Sequence, residues 1–200
     1  IGTYAVTLTA TNGSGSDTET KNAYITVIEK PLNYCASQGN NYSYEWIAGV
    51  EVGAMNNTSG AAGYTDFTSI FCNLAENGTY NVRLTPGFSS STYTEYWKIW
   101  VDYNADGDFE DAGEEVFSGV GTAAVTGSFT VPSGVAGVTR MRVTMKWNAV
   151  PTSCETFSSG EVEDYSVNIS GGTVNPPVAD FSASATTVNE GDSVTFTDAS

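Results

Sequence analysis

Residues 101–116 read VDYNADGDFEDAGEEV and set seven carboxylates within sixteen positions: Asp102, Asp106, Asp108, Glu110, Asp111, Glu114 and Glu115. Carboxylates this dense repel one another. The run must therefore be a solvated turn, a cation site, or a place where one carboxyl is held protonated for acid–base chemistry. The spacing favours a cation. Asp102, Asn104 and Asp106 stand at positions 1, 3 and 5 of the D-x-[DN]-x-[DN]-G calcium pattern, with Gly107 at position 6, where a sharp turn is needed. The carbonyl of Asp108 follows at position 7. Position 12 is Gly113 rather than a bidentate Glu, and the loop follows an aromatic strand instead of a helix, so it is not an EF-hand. Closure falls to Asp111, Glu114 or Glu115. Calcium is the expected cofactor, since magnesium keeps its waters and demands octahedral geometry. Nothing in the loop supplies the apolar pocket that a protonated catalytic carboxyl requires.

A second acidic group lies in GEVEDYSV, residues 160–167. On a strand, period two puts Glu161 and Glu163 on one face and Val162 and Asp164 on the other. Three roles stay open for these carboxylates: hydrogen bonding to loop amides or pairing with Arg140 or Arg142, a second cation site, or a ligand site. In EYWKIWVDY the same alternation assigns Trp97, Ile99 and Val101 to the core and leaves Tyr96 and Trp100 as a candidate platform for a glycan or a partner surface. Of the three cysteines, Cys35 opens the central segment and Cys154 precedes its last strand, so a disulfide between them would staple its ends; Cys72 is then left buried. The chain has no histidine, which removes the usual general base and every Ser-His or Cys-His arrangement. No enzymatic activity is expected, a carboxylate-only glycosidase being the disfavoured exception.

The elements that must position these residues are strands. Thr, Ser, Val, Gly and Tyr dominate, alternation recurs and helix signals are nearly absent, which predicts an all-β protein. A net charge of −16 with seven Lys and Arg argues against nucleic-acid binding, and no run of eighteen apolar residues predicts a membrane span. Residues 1–29 read as a hairpin with Tyr4, Val6 and Leu8 on one face, too small to bury a core alone. Residues 30–170 carry strand-like runs separated by turn signals at Asn77-Gly78, Pro86-Gly87 and Ser133-Gly134, as in a jelly-roll-like β-sandwich. Residues 171–177 form a linker, and in 178–200 Phe181 precedes a Gly-Asp turn while Val194 and Phe196 share a face. The whole reads as a section of a longer extracellular bacterial chain.

Two resemblances refine this. GTYAVTLTATNGSGSD with YITV is similar to the end of a PKD domain, and DFSASATTVNEGDSVTFTDAS to the start of one, although the central Trp-Asp-Phe-Gly-Asp-Gly signature is absent. The resemblance implies partial immunoglobulin-like PKD strands on both sides. YCASQG at 34–39, GYTDFTS at 63–69, the acidic loop and GEVEDYSV occur in the order seen in the GEVED domain. That resemblance implies a secreted or cell-surface bacterial multidomain protein in which PKD and GEVED units recur. It implies no catalysis. The expected function is a non-catalytic, calcium-stabilised structural or adhesive module whose partners are neighbouring PKD or GEVED domains. The alternative is a glycan- or protein-binding accessory module of a secreted hydrolase such as a metallopeptidase.

Overall fold

The computed structural model describes residues 2–27, 32–171, 181–189 and 193–198. Two compact units divide the chain, Ile1–Tyr34 and Cys35–Ser200. The first is a hairpin: β1 (Gly2–Asn12) and β2 (Gly15–Val27) pair antiparallel around a turn at Gly13-Ser14, with a bulge between Tyr4 and Val6. Tyr4, Val6, Leu8, Tyr24, Ile25 and Val27 are all exposed, because two strands cannot bury both faces. The expected linker at 171–177 and the Gly191-Asp192 turn lie outside the described residues, apart from Gly171. β13 (Phe181–Ala183) and β14 (Phe196–Asp198) form a short antiparallel pair.

The second unit contains a two-sheet β-sandwich. One sheet has the order β10-β7-β4-β5, built from β4 (Glu45–Val52), β5 (Met55–Thr58), β7 (Thr79–Phe88) and β10 (Val125–Thr130). The other runs β3-β12-β11-β8-β9, from β3 (Gln38–Asn41), β8 (Glu95–Val101), β9 (Glu115–Gly121), β11 (Gly137–Trp147) and β12 (Thr156–Ser170). β6 (Tyr64–Ala75) pairs parallel with β12, on the edge that β3 pairs nearer its start. The junction is made by Gly63, whose carbonyl accepts from Gly39 N at 3.0 Å and Val162 N at 3.2 Å.

Alternation along each strand fills the space between the sheets. Ile47, Val50, Val52, Val82 and Leu84 face Trp97, Ile99, Val101, Met141, Val143 and Met145, and Cys72 is buried among them. The core set read from β8 is buried as expected.

Pro86-Gly87 is not a turn, because both residues lie inside β7. Pro86 is tolerated because β10 pairs β7 only as far as Leu84, and on the other side a bulge between Ile47 and Gly49 loosens the ladder. Gly87 leaves room for the Trp46 indole, which a Cβ would meet at 2.3 Å.

Candidate functional site: the acidic loop and its anchor

The acidic stretch is the connection between β8 and β9. Its neck is closed by Val101 N donating to Glu114 O (2.9 Å), and Asp102 N donates to Arg140 O on β11 (3.0 Å). Asp102 is buried and serves as an internal acceptor: Oδ1 takes Asp106 N (3.3 Å) and Oδ2 takes Gly107 N (3.1 Å). Each following acidic or amide side chain accepts from an amide two residues on, Asn104 from Asp106, Asp106 from Asp108 and Asp108 from Glu110. The left-handed turn at Gly107 (φ 99°) lets this chain of side-chain turns curl inward.

The curl brings one carboxylate oxygen from each of Asp106, Asp108 and Asp111 within 4.8 Å of the others, the one such group of three among the described residues. Asn104 Nδ2 lies between two of them, donating to Asp106 (3.2 Å) and Asp111 (2.5 Å). Glu114 is buried and braces the loop from inside, accepting from Tyr103 N (2.8 Å) and Asp111 N (3.4 Å); burial holds its carboxyl above the usual range. Glu115 does not join the cluster. It begins β9, where it meets Lys98 on the neighbouring strand at 2.7 Å.

The expectation that Trp100 is exposed is overturned: it is 4% accessible, whereas Tyr96 is partly buried. Period two assigned Trp100 to the correct outer face, but that face is itself covered. Beside Trp100 in register stands Arg142, and the acidic loop folds Phe109 onto its guanidinium, 5.1 Å from the ring centroid. Lys98 lies 5.7 Å from the Trp100 ring.

Arg142 is where the sequence blocks meet. Its Nε and Nη2 each donate to Asp164 at 2.8 Å, and Arg140 adds a 3.5 Å contact to the same carboxylate. Nη1 donates to Cys35 O (2.9 Å) and Ser153 O (2.8 Å), so one guanidinium holds both approaches to the Cys35–Cys154 disulfide, whose Cα atoms are 5.6 Å apart. Tyr64 donates its hydroxyl to Asp164 at 3.2 Å. YCASQG, GYTDFTS, the acidic loop and GEVED thus converge on one buried ion pair.

Glu161 and Glu163 turn the other way, into the sandwich, and are fully buried. Glu161 accepts from Ile47 N (3.0 Å) and Thr65 Oγ1 (3.2 Å), bonding across to the facing sheet. Burial pushes its carboxyl up to about 8. Glu163 is also raised by burial. Ser59 Oγ stands 2.6 Å from Ile47 O and 2.5 Å from Glu163 Oε1 with one hydrogen to give, so both contacts are hydrogen bonds only when Glu163 carries a proton. Tyr165 donates to the other oxygen at 2.6 Å and accepts from Asn57 at 3.0 Å. Gly160 makes the motif's entry, at φ 121°, where a Cβ would stand 2.1 Å from Met145 O.

Fold and site together define an all-β sandwich with an acidic loop locked to a buried Arg–Asp pair. The sequence profile of the GEVED domain matches residues 96–168, which span β8 through most of β12. That family comprises non-catalytic accessory modules and occurs in extracellular proteins. No curated protein matches the chain significantly. Among the described residues no helix is long and apolar enough to cross a membrane.

Proposed function

We propose that the chain is a calcium-stabilised structural and adhesive module of a secreted or cell-surface bacterial protein, held between neighbouring PKD and GEVED domains. The observation that carries this is the convergence of Asp106, Asp108 and Asp111 within 4.8 Å. Three like charges at that separation repel by roughly 1 to 3 kcal/mol per pair between water-like and surface-protein dielectrics, a cost that a divalent cation reverses. Asp106, Asp108 and Asp111 would hold the ion, with Asn104 beside them. Asp102 and Glu114 shape the loop from within. The bound ion would stiffen a loop whose Phe109 caps Arg142, and so would tie cation binding to the disulfide-linked end of the sandwich.

No catalytic role is proposed. Glu161 and Glu163 are sealed inside the core with their oxygens bonded to protein groups, which leaves no place for a substrate atom. The accessory-module reading loses Trp100 as a platform and draws instead on the exposed rings of Tyr42, Tyr44 and Trp147.

The purified 200-residue chain should show no turnover of peptides or glycans. Turnover abolished by Glu163→Gln or Asp111→Asn, with the fold retained, would overturn the proposal. Tight binding of a defined oligosaccharide, lost on Trp147→Ala, would replace it with the accessory-module reading.

A further inference from the structure

Two glutamates used by neither the acidic loop nor the GEVED motif are buried inside the sandwich. Glu45 opens β4 and Glu95 opens β8 on the opposing sheet. Each shares the inward parity of its strand, Glu45 with Ile47 and Glu95 with Trp97, Ile99 and Val101, and they are 3% and 0% accessible. Among the described residues, neither carboxylate oxygen of Glu95 has a hydrogen-bond partner, and Nε1 of neighbouring Trp97 has none either.

Neither protonation state of Glu95 is satisfied by the described protein groups. Ionised, it is a buried charge without compensation; neutral, its O–H donates to nothing. Burial, and then the charge of Glu45, raises its carboxyl to about 7; burial also raises Glu45, against the Ser159 hydroxyl that lowers it. Protein cations are engaged elsewhere. Lys21 pairs with Glu19, Arg83 with Glu51, Lys98 with Glu115, Arg140 and Arg142 with Asp164, and Lys146 with Glu155; Lys30 lies outside the described residues.

We propose that Glu45 and Glu95, with the Ser159 hydroxyl, bind a divalent hard cation, calcium foremost, inside the sandwich where β4 and β8 begin. Two carboxylates balance a dipositive ion, and oxygen donors suit calcium. The unpartnered Glu95 is what distinguishes the place from a mere pair of acids. This site is independent of the acidic loop, which leaves the other end of β8, about 20 Å away at the usual rise per strand residue.

The test is calcium stoichiometry by titration calorimetry on the 200-residue chain, with terbium luminescence excited through tryptophan as a second readout. Glu95→Gln and Glu45→Gln should each bind one calcium fewer than the wild type. A variant carrying D106N, D108N and D111N should retain the interior ion and its luminescence, and should lose both when E95Q is added. If the loop binds nothing, the wild type binds one ion and Glu95→Gln none, which separates failure of the loop from failure of this site. Unchanged stoichiometry in both Gln variants overturns the inference. So does a Glu95→Gln variant that is more stable with and without calcium and binds as many ions as the wild type, since Glu95 would then hold a proton or a water.

Discussion

Arg142 and Asp164 form a two-point ion pair, Nε to Oδ1 and Nη2 to Oδ2 at 2.8 Å each, with both side chains sealed from solvent. The geometry explains why the last residue of the GEVED motif is an aspartate facing away from its two glutamates. Asp164 fixes the guanidinium on the outer face, leaving Nη1 to hold the chain beside both cysteines and the guanidinium plane to receive Phe109. Such a pair contributes organisation more than net stability, but breaking it strands a buried charge.

Asp164→Asn should therefore destabilise the chain by about 3 to 5 kcal/mol in urea unfolding, and Arg142→Lys, which loses the fork, by a comparable amount. Both variants should also raise amide exchange at residues 34–37 and 153–155. A loss below about 1 kcal/mol would mean the pair does not organise the outer face.

Glu163 should behave as a hydrogen-bond donor. Glu163→Gln keeps a donor for Ser59 and an acceptor for Tyr165, and should cost less than about 1 kcal/mol. Glu163→Leu leaves the Tyr165 hydroxyl without its acceptor and should cost about 1 to 3 kcal/mol. Equal losses for the two would contradict the proton assignment.

The raised carboxyls set a pH dependence. Glu161 sits near 4.5 when exposed and at about 8 when folded, so its contribution is fully present below about pH 4.5 and is lost as pH rises toward 8. Glu163 acts in the same direction. In metal-free buffer this contribution should fall between pH 5 and pH 8, by up to about 1.4 kcal/mol per pH unit for each group. Urea midpoints at the two pH values, compared with those of Glu161→Gln, test it; the variant should show a flatter profile, and an identical slope would contradict the assignment.

Gly160→Ala should be among the most damaging small substitutions, costing about 2 to 4 kcal/mol. The added Cβ meets the Met145 carbonyl and the backbone holds φ 121°. Gly113→Ala is the comparison: its φ of 98° is also strained, but a Cβ there meets nothing within 4 Å, so it should cost less. Thermal melts of both variants check the order.

Much of this was legible in residue types and period. Alternation in EYWKIW marked Trp97, Ile99 and Val101 as core, and alternation in GEVED separated Asp164 from the two glutamates. Period two names a face without saying what covers it: Trp100 lies on the outer face and is buried all the same, with Arg142 beside it in register and Lys98 over its ring. Glu115 read as a loop ligand because sequence proximity does not show where the strand begins. Pro86-Gly87 read as a turn because the end of β10 pairing at Leu84 is a tertiary fact. Glu95 stands among aromatic neighbours but shares parity with Trp97, and a carboxylate on the core side of a strand is the signal that marks it. The parallel pairing of β6 with β12 had no local signature, since it depends on contacts about a hundred residues apart.

Calcium stabilisation through the proposed acidic-loop site is read out by thermal unfolding of the 200-residue chain with millimolar calcium or with excess chelator. A site filled at about a hundred times its dissociation constant adds about 2.7 kcal/mol, or about 5 to 10 °C for a chain of this size. The wild type should show that shift, and a variant carrying D106N and D111N should lose at least part of it. Equal melting temperatures in calcium and chelator, or a full shift that survives in that variant, would contradict calcium stabilisation through the loop.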